Sequence, residues 1–127
     1  MARASRYIDP ARGEMDASQF FEEAIAKWSE QKLQSEILKF AVGSEREPSP
    51  LGWTAYHTFF SDRSQRGWPD LVLWRHRIVY AELKTTKGVL SPHQSRVIEG
   101  LRAAGGEVYL WRPKDWSSGA IQEVLSR

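Results

Sequence analysis

Cysteine is absent from all 127 residues. That excludes disulfide staples and thiolate metal sites, leaves stability to packing, and fits a reducing compartment. Long apolar runs are missing too: none approaches the roughly 20 residues a bilayer-spanning helix needs, and the polar start MARASRYIDPARGEMD reads as neither signal peptide nor anchor. A cytoplasmic protein without membrane association is the expectation. There is little net charge, only +2, and no internal repeat or low-complexity tract. Overall charge therefore says little about partners, and the organisation has to be read from local signals.

What is present is enough apolar content, 41%, for one compact core in a chain too short for two ordinary domains. Residues 1–15 read as a mobile N-terminal arm and 16–127 as a single domain. Charge is unevenly placed. Residues 1–50 carry seven basic and nine acidic side chains, whereas 51–127 carry eleven and seven, with Arg63, Arg66, Arg75 and Arg77 close together. A polyanion would dock on the second part, unless these arginines are simply a solvated hairpin.

Asp16 with Gln19 has the form of a capping box, and Phe20, Phe21, Ala24, Ile25 and Trp28 follow helical spacing, predicting a helix over about 17–28. Ser29 is a fresh N-cap for a second helix over about 30–42, with the stripe Leu33, Ile37, Phe40, Ala41; the two could also be continuous. A strand is expected from Trp53 to Thr58. LVLW and IVYAELK flank Arg75-His76-Arg77 as a hairpin of two central strands, apolar enough to be covered on both faces. Ser91-Pro92-His93-Gln94 opens a helix carrying Val97, Ile98, Leu101 and Ala104, which Gly105-Gly106 ends. Glu107 to Trp111 is a further strand closed by Pro113, and Ile121 to Leu125 a short last helix. The class is α/β: a central mixed β-sheet flanked by helices.

The hairpin is where chemistry concentrates. If His76 is the middle of a three-residue connection, Trp74 opposes Ile78 and Asp70 faces Glu82. Side chains alternate along a strand, so Glu82 and Lys84 project from the same face as Asp70, with directly opposed Cβ atoms about 4.5–5.5 Å apart. Two carboxylates at about 5 Å repel by roughly 3 kcal/mol at an effective dielectric near 20. Something positive belongs between them. Lys84 supplies part of that charge; a divalent cation on hard carboxylate oxygens answers the repulsion better and can serve phosphodiester hydrolysis. The plainer alternative makes Glu82 and Lys84 a strand ion pair and Asp70 a turn cap after Pro69.

Gly67-Trp68-Pro69-Asp70, then Glu82-Leu83-Lys84, then Gly88-Val89-Leu90-Ser91-Pro92-His93-Gln94 resembles, as an ordered set, the PD-(D/E)xK nuclease superfamily. More narrowly it resembles the virus-type replication-repair nuclease (VRR-NUC) family, over about 29–116. The resemblance implies a restriction-endonuclease-like fold and a Mg2+- or Mn2+-dependent DNA endonuclease acting on branched, flapped or four-way-junction DNA. Compact stand-alone members are similar to phage proteins that work as homodimers. Asp70, Glu82 and Lys84 would be catalytic, with the two carboxylates as metal ligands.

The family pattern also implies an acidic residue on the helix before the sheet, Glu30 or Glu36. At about 100° per residue, Glu30 falls within the apolar stripe while Glu36 lies at its margin beside Ser35 and Lys39, so Glu30 is chosen as catalytic and metal-associated; as an alternative it is a favourable charge in a helix's first turn. Gln94 shares the stripe of Val97 and Ile98 and is expected to assist the site, although Ser91-x-x-Gln94 is itself a capping box. His57, Ser61, Arg63, Ser64, Arg66 and Lys87 are the expected nucleic-acid-binding groups, able to bond phosphate oxygens without reading bases. Residues 1–28 have no assignable counterpart in the resemblance. Two rival readings stay open: a catalytically silent nucleic-acid-binding or assembly module of the same fold, and an RNA-directed nuclease.

Overall fold

The structure is a computed structural model that describes residues 6–9, 13–58 and 66–127. Its first elements are a short antiparallel hairpin, β1 (Arg6–Asp9) and β2 (Gly13–Asp16), lying in the stretch expected to be an arm. Asp16 then ends the strand and caps α1 (Ala17–Ala26): its carboxylate accepts from Ser18 N at 2.7 Å, and Gln19 returns a bond to the Asp16 N–H. Lys27 to Ser29 interrupt the helix, so the two helical segments are separate. Ser29 Oγ accepts from Lys32 N at 3.0 Å to open α2 (Glu30–Ala41), whose Leu33, Ile37 and Ala41 are fully buried.

A four-stranded sheet follows in the order β3 (Thr54–His57), β4 (Leu71–Trp74), β5 (Ile78–Leu83), β6 (Glu107–Trp111). The first three strands are antiparallel; β6 runs parallel to β5, reached through the crossover helix α3 (Pro92–Ala103). The β4–β5 register pairs Trp74 with Ile78 and Leu71 with Ala81, as a three-residue connection centred on His76 requires. Two short helices, α4 (Pro113–Ser117) and α5 (Ala120–Ser126), complete the chain. Pro113 ends β6 as expected but also occupies the first position of α4, where its missing N–H costs nothing.

One face of the sheet carries the core. Leu71, Leu73, Val79, Ala81 and Leu83 alternate onto it and pack with α2 and α5, through Leu33, Ile37, Ile121 and Leu125. The other face is covered only in part. Ile98 of α3 and Val108 of β6 are buried there, but Tyr56, Trp74 and Ile78 are 56%, 40% and 51% exposed. The expectation that both hairpin strands are covered on both sides is thus corrected: α3 packs on β6 and leaves β3 and β4 open, and the apolar run LVLW is half core and half surface.

At the turn end of the hairpin the arginines have structural work. Arg75 donates to Leu51 O at 2.8 Å and to the carbonyls of Leu125 and Arg127; Arg77 donates to Val124 O and Arg127 O, both at 2.6 Å, and pairs with Glu107 at 3.0 Å. Both guanidiniums lie over the Trp53 ring, and the Trp53 indole N–H donates to Leu125 O at 2.8 Å. These cations donate to carbonyls at the end of α5, the acceptors that a helix's last turn leaves without an intrahelical N–H donor. They point away from any phosphate-binding role, which corrects their inclusion among polyanion-docking charges. Arg77→Ala should therefore lower stability by about 1–3 kcal/mol, from lost bonds to a cationic donor, while leaving nucleic-acid affinity unchanged. Chemical denaturation and a binding titration on the same preparation check both halves.

Candidate active site

The opposite end of the hairpin carries the carboxylates. Asp70 immediately precedes β4, and its Oδ2 accepts the Leu83 N–H at 2.8 Å, a side-chain bond that takes over where the β4–β5 ladder stops. Its main chain is held from the other side, since Thr58 N donates to Asp70 O at 3.0 Å. Glu82, one position before the end of β5, is a charged residue buried in the fold, with 1% of its surface exposed. Gln94 Nε2 donates to Glu82 Oε1 at 3.0 Å, and Lys84 Nζ lies 3.9 Å from the same oxygen. Glu82 Oε2 is buried without a hydrogen-bond partner.

That orphaned oxygen defines the electrostatics. Burial, and then the facing Asp70 carboxylate, push the Glu82 carboxyl up to about 8, against the smaller downward pull of Lys84; Glu30 adds to the rise. Two ionised carboxylates are both acceptors and cannot bond each other, so either a proton on Glu82, shared with Asp70, or a cation must satisfy the pair.

The cleft in front of the pair has a volume of about 530 Å³ and is lined by Glu30, Gln31, Gln34, His57, Thr58, Asp70 and Leu83. This distinguishes the two helix carboxylates. Glu30, in the first turn of α2, faces the cleft and acts electrostatically on Glu82. Glu36 pairs with Lys32 at 3.0 Å and Lys39 at 3.2 Å, bonds that hold its carboxyl below the usual range and away from the site. Among the described residues no three His, Cys, Asp or Glu side chains converge into a ready-made metal-ligand set, so Glu30 shares the cleft with Asp70 without closing such a set.

Gln94 fills both roles open to it. Its Oε1 accepts the Ser91 N–H at 2.9 Å while Ser91 Oγ accepts the Gln94 N–H at 3.1 Å, closing the capping box, and its Nε2 remains directed at Glu82. The cap fixes the rotamer that the site uses. Gly67 explains why the Asp70 loop meets this helix: its φ is +84°, and a Cβ there would lie 2.5 Å from the carbonyl carbon and oxygen of His93. Glycine is required twice over, for the left-handed backbone and for the close approach.

His57 lines the cleft, Arg66 and the exposed Lys87 flank it in sequence, and Ser61, Arg63 and Ser64 lie outside the described residues. One positioning residue was not anticipated. Arg112, just after β6, donates from Nη1 to Thr85 O at 2.7 Å, Gly88 O at 2.7 Å and Thr86 O at 3.4 Å, clasping the loop that follows Lys84. Contacts spanning 24 to 27 residues leave no local signature; the only sequence hint is an arginine directly after a parallel strand.

The VRR-NUC domain model matches residues 6–115, and the chain belongs to this nuclease-type family. The match begins well before the expected residue 29 and takes in the N-terminal hairpin and α1. A solved structure of a VRR_NUC domain protein superposes with a TM-score of 0.58 at 20% identity, over 75% of this chain and 86% of that one. The fold is restriction-endonuclease-like. Among curated proteins none matches the chain.

The raised Glu82 group has a consequence for stability. Between pH 4.5 and about 8 the folded protein retains a proton that the unfolded chain has released, so this group's contribution falls as pH rises through that window and levels off above it. In EDTA, Glu82→Gln should remove this component: the variant should equal or exceed wild type in melting temperature at pH 8 and lose the advantage toward pH 5. Parallel melting-temperature profiles for the two proteins would contradict the assignment.

Proposed function

We propose that this protein is a divalent-metal-dependent endonuclease that hydrolyses DNA phosphodiester bonds, with Asp70 and Glu82 holding Mg2+ or Mn2+. The observation that carries the reading is the buried, unpartnered Glu82 Oε2 beside Asp70, which itself lines an open polar cleft. Hard carboxylate oxygens of this kind suit a cation that keeps part of its coordination for water and substrate. Such a cation, when bound, supplies Lewis-acid stabilisation of charge developing on the phosphate and favours the nucleophilic form of water.

The chain's own groups have distinct parts. Gln94 holds the Glu82 carboxylate in orientation through Oε1 and leaves Oε2 for the cation. Lys84, with 13% of its side chain exposed, presents its ammonium beside Glu82, where it can neutralise a phosphate oxygen. Glu30 faces the cleft from α2 and can hold or orient a water. His57, Arg66 and Lys87 are assigned to the DNA backbone, together with Ser61, Arg63 and Ser64 on the connecting segment. Branched, flapped or four-way-junction DNA is the proposed substrate and a homodimer the proposed working form. The small domain offers little area to grip such a substrate alone, and the exposed Tyr56, Trp74 and Ile78 give a second copy an apolar face to cover.

Purified protein incubated with labelled linear, flapped, four-way and single-stranded DNA, and with RNA, should cut DNA in Mg2+ or Mn2+ and not in EDTA. Cutting that persists in EDTA would refute the mechanism, and tight binding without cutting would indicate a silent binding module. Lys84→Ala should reduce kcat at least a hundredfold, the scale of a lost electrostatic stabiliser, while changing DNA affinity little. Equal losses in turnover and binding would make Lys84 a mere contact. Light scattering tests the dimer, and a monomer both free and on a four-way junction would exclude it.

A further inference from the structure

Beside the carboxylates, on the first turn of α3, two arginines share one histidine. Arg96 Nη2 lies 2.9 Å from His93 Nδ1, and Arg66 Nη1 lies 3.5 Å from His93 Nε2. A neutral imidazole has one lone-pair nitrogen, so it can accept from only one of these guanidiniums; the other meets a ring N–H. Among the described residues neither arginine has a carboxylate within ion-pair distance. Both are exposed. Two cations thus flank one imidazole, one at each ring nitrogen, with too few acceptors there to satisfy them.

The gathering is built into the fold. Gly67 packs against the His93 carbonyl at a distance no side chain allows, which brings Arg66, one residue earlier, onto the His93 ring. Arg96 comes from the same helix one turn on. Between His93 and Arg96 sits Gln94, whose amide touches Glu82. The cluster therefore borders the carboxylate pair.

We propose that Arg66, His93 and Arg96 form a clip for a phosphodiester group flanking the scissile one. A phosphate offers the several acceptor oxygens that the two guanidiniums lack, and arginine forks match its geometry. Bound so, it also offsets the repulsion between the two cations. Because His93 and Arg96 of the clip lie on α3 on either side of Gln94, gripping that phosphate sets the position of the strand relative to Glu82. The clip takes its ligand from the nuclease reading, on which it rests.

Fluorescence anisotropy of a labelled flapped DNA, measured in EDTA over a salt series, tests it. Arg66→Ala and Arg96→Ala should each weaken binding about tenfold and lower the slope of log affinity against log salt by about 1. Lys114→Ala, on α4, should change neither. NMR of the arginine side chains during titration with inorganic phosphate supplies a readout independent of DNA. If wild type cleaves DNA while both arginine variants keep wild-type affinity and slope, the clip is overturned and the nuclease reading stands. If no nucleic acid is cut but phosphate shifts the Arg66 and Arg96 signals, the cluster binds phosphate, and the clip for a phosphodiester beside a scissile one falls with the nuclease reading. No response to DNA or phosphate would overturn both.

Discussion

A carboxylate with 1% of its surface exposed, at the end of a central strand, constrains everything around it. Ionised and unpaired, such a group costs several kcal/mol in a protein interior. Each neighbour that responds to Glu82 arrives from a different element: Asp70 from the start of β4, Gln94 from the first turn of α3, Lys84 from the end of β5, and Glu30 electrostatically from α2. A mixed sheet makes this convergence possible. The antiparallel partner delivers a second carboxylate opposite the first, and the parallel partner requires a crossover helix, whose N-terminus returns to the same sheet end.

The arginines show how identical side chains are given different work by their surroundings. Arg75 and Arg77, at the hairpin turn, find carbonyls of α5 and a carboxylate, and so are consumed in holding the chain together. Among the described residues Arg66 and Arg96, at the other end of the hairpin, find an imidazole and no carboxylate. The sheet is polarised in this way. One end has its cations matched by main-chain acceptors, whereas at the other Arg66 and Arg96 share one imidazole and one oxygen of Glu82 is unpartnered, gaps that a phosphodiester with a divalent cation would fill under the proposed function.

Much of this was legible in the sequence because the signals were local. The hairpin register followed from the short Arg75-His76-Arg77 connection, and with it the opposition of Asp70 and Glu82; Ser29, Asp16 and Ser91 marked helix starts through caps that span three residues. Helical angles put Glu30 within the apolar stripe of α2 and Glu36 at its margin beside Lys39, and in the structure Glu30 lines the cleft while Glu36 pairs with Lys32 and Lys39. Features depending on distant partners were not legible. The β1–β2 hairpin is short and lacks an apolar alternation, α4 is a single turn and a half begun by a proline that also looks like a strand terminator, and the one-sided cover of β4 depends on where α3 lands. Gly67 was visible as part of a motif, but its reason, the contact with His93, exists only in three dimensions.

Lys84 poses the final problem of construction. It stands just past the last paired residue of β5, where a flexible side chain would ordinarily be poorly placed for catalysis. Its N–H donates to Trp111 O at 3.0 Å, extending the β5–β6 pairing by one residue. The loop beyond contributes little to the core, so it is held by polar bonds instead: Gly88 N to Thr85 O, Thr86 Oγ1 to Ala26 O at 2.6 Å, and the Arg112 guanidinium to three of its carbonyls. The carbonyls that Arg112 meets do not depend on loop side chains, so within the loop it is the Thr86 hydroxyl that ties the path of the chain to a particular residue. The anchors lie at Ala26 and Arg112, the far ends of α1 and β6. The position of Lys84 is thereby tied to the N-terminal helix and the last strand, so that residues well outside the D…ExK motif share in setting its geometry.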